Sequence, residues 1–129
     1  VDSSLKNKQI FIYGNGNFVR DFLYIDDLID AILLTLKNYK KLNKDFYYIS
    51  YGKGNSFKSL AKYIASKSKK YVKENIKIVY QKWPKKINKI EKRSFVGNNI
   101  EFKKITGWKP RYNLSKGIEQ MIKTKLIKT

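Results

Sequence analysis

A mixed α/β fold, with short strands and about four helices in one domain over residues 1–129, is what this sequence predicts, on three observations. Short β-branched and aromatic runs alternate with stretches of helical period, and Gly/Asn clusters punctuate them. A chain of 129 residues with 42% hydrophobic residues suits one core, since domains of about 100 to 150 residues are the commonest size. Two independent catalytic domains do not fit.

The elements follow in order. Lys8 to Tyr13 (KQIFIY) reads as a strand, and Gly14-Asn15-Gly16-Asn17 as a turn, because Gly and Asn accept positive φ cheaply. Phe18 to Ile25 reads as a second extended piece. Asp26 or Asp27 then looks like a helix N-cap, with Leu28, Ile29, Ile32, Leu33 and Leu36 on one face of a helix fading near Asn38. The aspartates lie at its positive end, where the dipole stabilises them. Phe46 to Tyr51 (FYYISY) reads as a buried strand closed by the Gly52-Lys53-Gly54-Asn55 turn. Ser56 caps a helix to about Lys70, with Phe57, Leu60, Ala61, Ile64 and Ala65 in register.

Ile76 to Tyr80 (IKIVY) alternates as a strand should, and the lysine-rich, proline-containing Lys82 to Lys92 reads as a surface loop. Ser94-Phe95-Val96 is a short extended stretch. Asn98 or Asn99 caps a helix bearing Ile100, Phe102 and Ile105, which Gly107 stops. Trp108-Lys109-Pro110 is extended, as the residue before proline avoids the α region. A last helix starts near Ser115 and presents Ile118, Met121, Ile122 and Leu126.

Composition limits the chemistry. Without cysteine there is no disulfide, no Cys-ligated zinc and no thiol nucleophile, and without histidine the commonest base and metal ligand is missing. Acid–base work would fall to Asp, Glu, Lys or Tyr. No apolar run approaches the roughly 18 to 20 residues that span a bilayer. The start, Val1-Asp2-Ser3-Ser4-Leu5, has no basic-then-apolar leader, so the expected compartment is the cytoplasm.

The formal charge is +19, and only Arg20, Arg93 and Arg111 are arginines among 29 basic residues. This lysine bias, accompanied by many Asn, Ile and Tyr, is what AT-rich codon usage produces without any polyanion partner, whereas sequence-reading nucleic-acid proteins lean on arginine. Residues 1–65 carry +4 and residues 66–129 carry +15. The second half would draw any polyanion by a salt-dependent field.

Several motifs are decoys. Gly14-Asn15-Gly16 and Gly52-Lys53-Gly54 lack the third glycine and following helix of a dinucleotide loop and the Gly-Lys-Ser/Thr ending of a P-loop, so both read as turns. Tyr63 and Lys67 match the Tyr-x-x-x-Lys pair of short-chain dehydrogenases, but that spacing arises by chance in a lysine-rich helix.

Arg20-Asp21-Phe22-Leu23-Tyr24-Ile25-Asp26-Asp27, after Gly14-Asn15-Gly16 and before an apolar helix, resembles the Gly-x-Gly…Arg-Asp-Phe-x-x-(Val/Ile)-x-Asp signature of extended short-chain dehydrogenases, the nucleotide-sugar epimerases and dehydratases. The likeness continues in order. Tyr48-Ile49-Ser50-Tyr51-Gly52 with Asn55-Ser56-Phe57 is similar to the family's Tyr-Asn-(Ile/Val)-Gly-x-Gly strand and helix start. Trp83-Pro84, Ser94-Phe95-Val96 and Gly107-Trp108-Lys109-Pro110 resemble its closing Leu-Gly-Trp-x-Pro region, and Leu114-Ser115-Lys116-Gly117-Ile118 its final helix. Asn98 stands where the family generally has Asp, and Glu101 where Lys is usual.

The resemblance implies the smaller C-terminal lobe of an extended Rossmann-type enzyme, which grips the nucleoside diphosphate of a sugar substrate. The Rossmann half, with its NAD loop and catalytic Ser/Thr and Tyr-x-x-x-Lys groups, is absent. Phe11 and Tyr13 then correspond to residues flanking the base, and Arg20 to the arginine that clamps the diphosphate; the planar fork suits two phosphate oxygens. Asp21 either orients that clamp or forms an ordinary ion pair. Lys86, Lys89, Glu91 and Arg93 compete for a second basic-and-acidic pair, and Trp83 and Trp108 read as packing or hinge residues.

The implied activity is the nucleotide-sugar-binding part of an NAD-dependent epimerase or dehydratase, most like the UDP-glucose 4-epimerase group, acting by hydride transfer at sugar C4 through a keto intermediate. NAD belongs to the missing half, a UDP-sugar is the expected substrate, and no catalytic or metal-binding residue is expected here. Two alternatives stand beside it: a small basic nucleic-acid-binding module that stacks bases on Tyr and Phe, and an inactive remnant.

Overall fold

The computed structural model describes residues 2–127; Val1, on which part of the leader expectation rests, and residues 128 and 129 lie outside them. Its elements are α1 (Asp2–Asn7), β1 (Gln9–Tyr13), β2 (Val19–Asp21), α2 (Ile25–Asn38), β3 (Gly54–Ser56), α3 (Phe57–Ser68), β4 (Lys77–Gln81), α4 (Ile100–Thr106) and α5 (Leu114–Ile127). A 3-10 turn, Lys89–Lys92, interrupts the predicted surface loop. The class is mixed α/β as expected, and α1 is an element that the sequence pattern does not signal.

Two small sheets organise the chain among the described residues. β1 pairs with β4 in parallel, from Gln9 opposite Lys77 to Tyr13 opposite Gln81, and β2 pairs antiparallel with β3. β1 is the strand predicted, and in it Ile12 is buried while Phe11 and Tyr13 are exposed. The strand starts one residue late because Lys8 has φ +54, off the extended region. Gly14 and Gly16 turn the chain with positive φ.

Several expectations are corrected. Ile25 belongs to α2, so the second extended piece shrinks to the three residues of β2. The N-cap of α2 is Tyr24, with no side-chain cap bond; Asp26 and Asp27 lie in the first turn, and Asp27 turns inward. Phe46 to Tyr51 joins no ladder among the described residues. Side chains hold it instead: Asn99 Nδ2 donates to Ser50 O at 2.6 Å and Ser50 Oγ donates to Gly97 O at 3.0 Å. Ser94–Val96 also forms no ladder, but Phe95 N donates to Val19 O at 3.0 Å.

Asn98 Oδ1 accepts from Ile100 N at the start of α4, and Gly107, at φ +71, ends that helix in the left-handed region. The last helix begins at Leu114, where Asn113 Oδ1 accepts from Lys116 N. Ser56 caps α3 as predicted, accepting from Ser59 N at 3.1 Å. Glu101, the charge reversal, finds a cation: Lys44 Nζ lies 2.5 Å from its Oε1, and this hydrogen bond raises the Lys44 pKa above the usual value.

The core has two parts. Ala31, Phe102 and Trp108 join α2, α4 and the segment after it, with Leu34, Leu42 and Tyr47 packed against them. Ile64, Ile118 and Ile122 join α3 to α5, with Ile10 and Leu60 alongside. Trp108 is thus the core residue predicted. Its Nε1 donates to Asp27 O at 3.0 Å. The fully buried Asp27 carboxylate accepts from Arg111 N at 2.8 Å and Tyr112 N at 3.0 Å.

By contrast, one face of α2 has no cover among the described residues. Ile25, Ile29, Ile32, Leu33 and Leu36 are all exposed, Leu36 to 67%. Beside them in sequence, Phe46 is 69% exposed and Tyr48 also faces solvent. Helical spacing correctly identifies the stripe; it leaves open which apolar positions face inward.

Asp27→Leu should destabilise the chain by about 2 to 4 kcal/mol in urea unfolding, because it strands two buried amides. A second prediction concerns Glu119, where hydrogen bonding from Lys67 first, then its charge and that of Lys70, hold the carboxyl below the usual range. Its contribution is present above about pH 4.5 and is lost as pH falls through the lowered value. Glu119→Gln should therefore lower the melting temperature at neutral pH, with the difference from the wild type closing as the pH falls through the lowered carboxyl value.

Candidate functional site

A cavity of about 280 Å³ opens between β1, all of whose residues from Ile10 to Tyr13 line it, and α3. Phe11 and Tyr13 form one wall, Phe57, Leu60 and Ile64 of α3 another, and Trp83 and Glu91 close it from the segment after β4. Strand alternation is what delivers two aromatic side chains to one wall. Trp83 lies on Tyr13, ring centroids 5.4 Å apart and 22° from parallel, and Phe18 meets its edge at 6.1 Å. This stack needs Gly14. A Cβ there would come 2.5 Å from Trp83 Nε1, on a backbone already at φ +64.

Arg20 sits at the rim. Its guanidinium lies 5.6 Å from the centroid of Phe57, and both terminal nitrogens are directed at backbone oxygens of the 3-10 turn. Asp21 is not its counterion, which corrects the ion-pair expectation: Asp21 Oδ1 accepts from Tyr51 N at 2.9 Å, and Oδ2 from Gly52 N at 3.0 Å and Gly97 N at 3.2 Å. The carboxylate is consumed by amides that lack ladder partners. Those bonds also explain the Gly52-Lys53-Gly54 turn as a support for Asp21.

Of the predicted site residues, Phe11, Tyr13 and Glu91 line the cavity and Arg20 borders it. Lys89 and Arg93 are exposed on the turn, along with Lys85, Lys86 and Lys92, and none of them lines the cavity. Trp83 is the residue that sequence reasoning assigned to packing and that the structure places in the wall. Its position just past an alternating strand and before a proline was the available signal. Lys67 of the Tyr63/Lys67 pair is spent on Glu119 at 3.1 Å. A second cavity of about 270 Å³, bounded by Phe22, Tyr24, Tyr112 and Met121, has no charged group in its lining.

An aromatic pocket bordered by Arg20, on a two-sheet mixed α/β fold, is what the comparisons place in a class: the C-terminal part of an extended short-chain dehydrogenase. The family model described as GDP-mannose 4,6 dehydratase matches residues 1–121, and the chain belongs to that family of NAD-dependent nucleotide-sugar epimerases and dehydratases. CDP-abequose synthase of Salmonella typhimurium is 30% identical over 129 residues, which cover 95% of this chain and 40% of that protein. UDP-glucose 4-epimerase of Thermotoga maritima, solved with UDP-glucose, superposes with a TM-score of 0.71 at 25% identity, over 97% of this chain and 38% of that one. The dTDP-glucose 4,6-dehydratase of Bacillus anthracis, solved with NAD, gives 0.69 at 22% identity, over 95% and 36%. The chain spans two fifths or less of the length of each.

Solved relatives hold NAD, and the starts of α2 and α3 do not suit the pyrophosphate of such a dinucleotide. A pyrophosphate needs free amides at a helix start, but in α3 Phe57 N donates to Phe18 O, Lys58 N to Gly16 O and Ser59 N to Ser56 Oγ. The first turn of α2 carries Asp26 and Asp27, whose charge opposes phosphate.

Gly14→Ala should displace the indole from Tyr13. The expected result is a shift in tryptophan emission and a loss of about 1 to 2 kcal/mol from the left-handed backbone alone, read by fluorescence-detected unfolding.

Proposed function

We propose that this chain is the nucleotide-sugar-binding lobe of an NAD-dependent sugar epimerase or dehydratase, with a UDP-sugar as its substrate. The observation that carries the reading is the aromatic cavity beside Arg20. Its volume, about 280 Å³, lies near the lower end of small-molecule sites and suits a base with its ribose better than a whole nucleotide sugar. Phe11, Tyr13 and Trp83 supply faces on which a planar base can stack. Arg20 and the lysines of residues 85–92 supply the positive potential that a diphosphate requires at the mouth.

Hydride transfer lies outside what these side chains can do. NAD and the catalytic acid–base groups come, in this reading, from a dinucleotide-binding lobe of the kind that occupies the remainder of the relatives. The bare aliphatic stripe of α2 and the unpaired Phe46–Tyr48 stretch are where that lobe docks, since both are apolar and neither has cover among the described residues. The chain alone is therefore expected to bind nucleotide without turnover.

Calorimetry tests this directly. UDP and UDP-glucose should bind, and Trp83→Ala should weaken UDP by about tenfold, the loss of one stacking surface. Binding of a single-stranded oligonucleotide at about 0.15 M salt, with no preference for UDP-glucose, would instead favour the nucleic-acid reading.

A further inference from the structure

Between Trp83, stacked on Tyr13, and Ser94, whose Oγ accepts from Val19 N, the chain makes a ten-residue excursion over the cavity mouth. Within it the hydrogen bonds are local: Ile90 N donates to Asn88 Oδ1, Glu91 N to Asn88 O and Arg93 N to Ile90 O. Nothing in that set ties the excursion to the rest of the molecule. Among the described residues, the hydrogen bonds that do so come from one side chain. Arg20 Nη2 donates to Glu91 O at 3.0 Å and to Ile90 O at 3.4 Å, while Nη1 donates to Arg93 O and, at 3.1 Å, to Val19 O.

We infer that Arg20 is a positioning residue, a latch whose fork holds the 89–93 turn and thereby sets Glu91 in the cavity wall. The inference rests on the nucleotide-binding reading and deepens it, because it makes Arg20 matter to the base and ribose end of the ligand as well as to phosphate. The geometry asks for arginine. Carbonyls of residues 90, 91 and 93 converge on one planar group with two terminal nitrogens, which a single ammonium cannot reproduce. Arg20 forms no ion pair among the described residues. Phe57 supports it from one side and lines the same cavity, so latch and wall move together.

Two readouts separate this role from a phosphate clamp. In limited tryptic digestion with first cuts mapped by mass, Arg20→Lys and Arg20→Ala should each speed cleavage at Lys89, Lys92 and Arg93 by about tenfold, with cleavage outside residues 82–93 unchanged save for the site at position 20 that the alanine variant removes. Arg20→Lys retains the charge and most of the stem over Phe57, and so carries the test should the alanine variant fail to fold. In calorimetry, both variants should weaken uridine, which has no phosphate, by about fivefold, and weaken UDP at least as much. Wild-type cleavage rates in the lysine variant, or uridine affinity unchanged while UDP affinity falls, would overturn the latch. If neither uridine nor UDP binds the wild-type chain, the nucleotide reading fails, while the digestion still decides whether Arg20 holds the turn.

Discussion

Backbone amides that leave a ladder without finding another acceptor are costly, and two aspartates in one stretch of β2 and α2 resolve that problem for much of this chain. Asp21 accepts from the amides of Tyr51, Gly52 and Gly97, and Asp27 from those of Arg111 and Tyr112. Between them they fasten three distant segments to one short region. Asp21 fixes the loops behind the cavity rim, and Asp27 fixes the approach to α5, whose Ile118 and Ile122 close the core under α3. The cavity wall formed by α3 inherits its position from both.

Charge is arranged with the opposite logic. The surplus of cations lies on exposed residues, most densely between Lys82 and Arg93, while the cavity lining contains a single ionised side chain, Glu91. An apolar pocket with a cationic rim separates two tasks: stacking contacts are strongest where water is excluded, and a diphosphate keeps part of its hydration at an exposed rim. Lysines spread along a surface turn raise encounter rates with anions but confer little geometry. The geometry comes from the one arginine in the vicinity of β1 and α3.

Local pattern made much of this legible. The strand over QIFIY, the Ser56 cap, Gly107 in the left-handed region and the core role of Trp108 all follow from spacing and residue type, and the structure bears them out. What pattern could not supply was partnership. FYYISY has every property of a buried strand, yet a strand exists only where a second one pairs with it, and none of the described strands does. Asp27 carries the signature of a cap, but its carboxylate turns inward because two amides some 84 positions away need it. Trp83 lies in a polar, lysine-rich stretch that reads as a loop, and its stack on Tyr13 is what brings the indole into the cavity wall. The Arg20 fork, too, was readable as a residue type, while its acceptors, three carbonyls about 70 residues away, were not.

The exposed stripe on α2 bears on how the chain exists in solution. Five aliphatic side chains on one helix, next to an extended aromatic segment without a ladder, combine a hydrophobic face with unsatisfied backbone, which is the recipe for pairing with another strand-bearing body. The buried residues of α2, Asp27 and Ala31, are held by the C-terminal segment and α4 from the other side, so the helix does not need the stripe in order to be positioned. Cover on that face would therefore add stability without rebuilding the lobe. This chain covers 40% of one relative's length, so a protein of that length has the material to provide such cover.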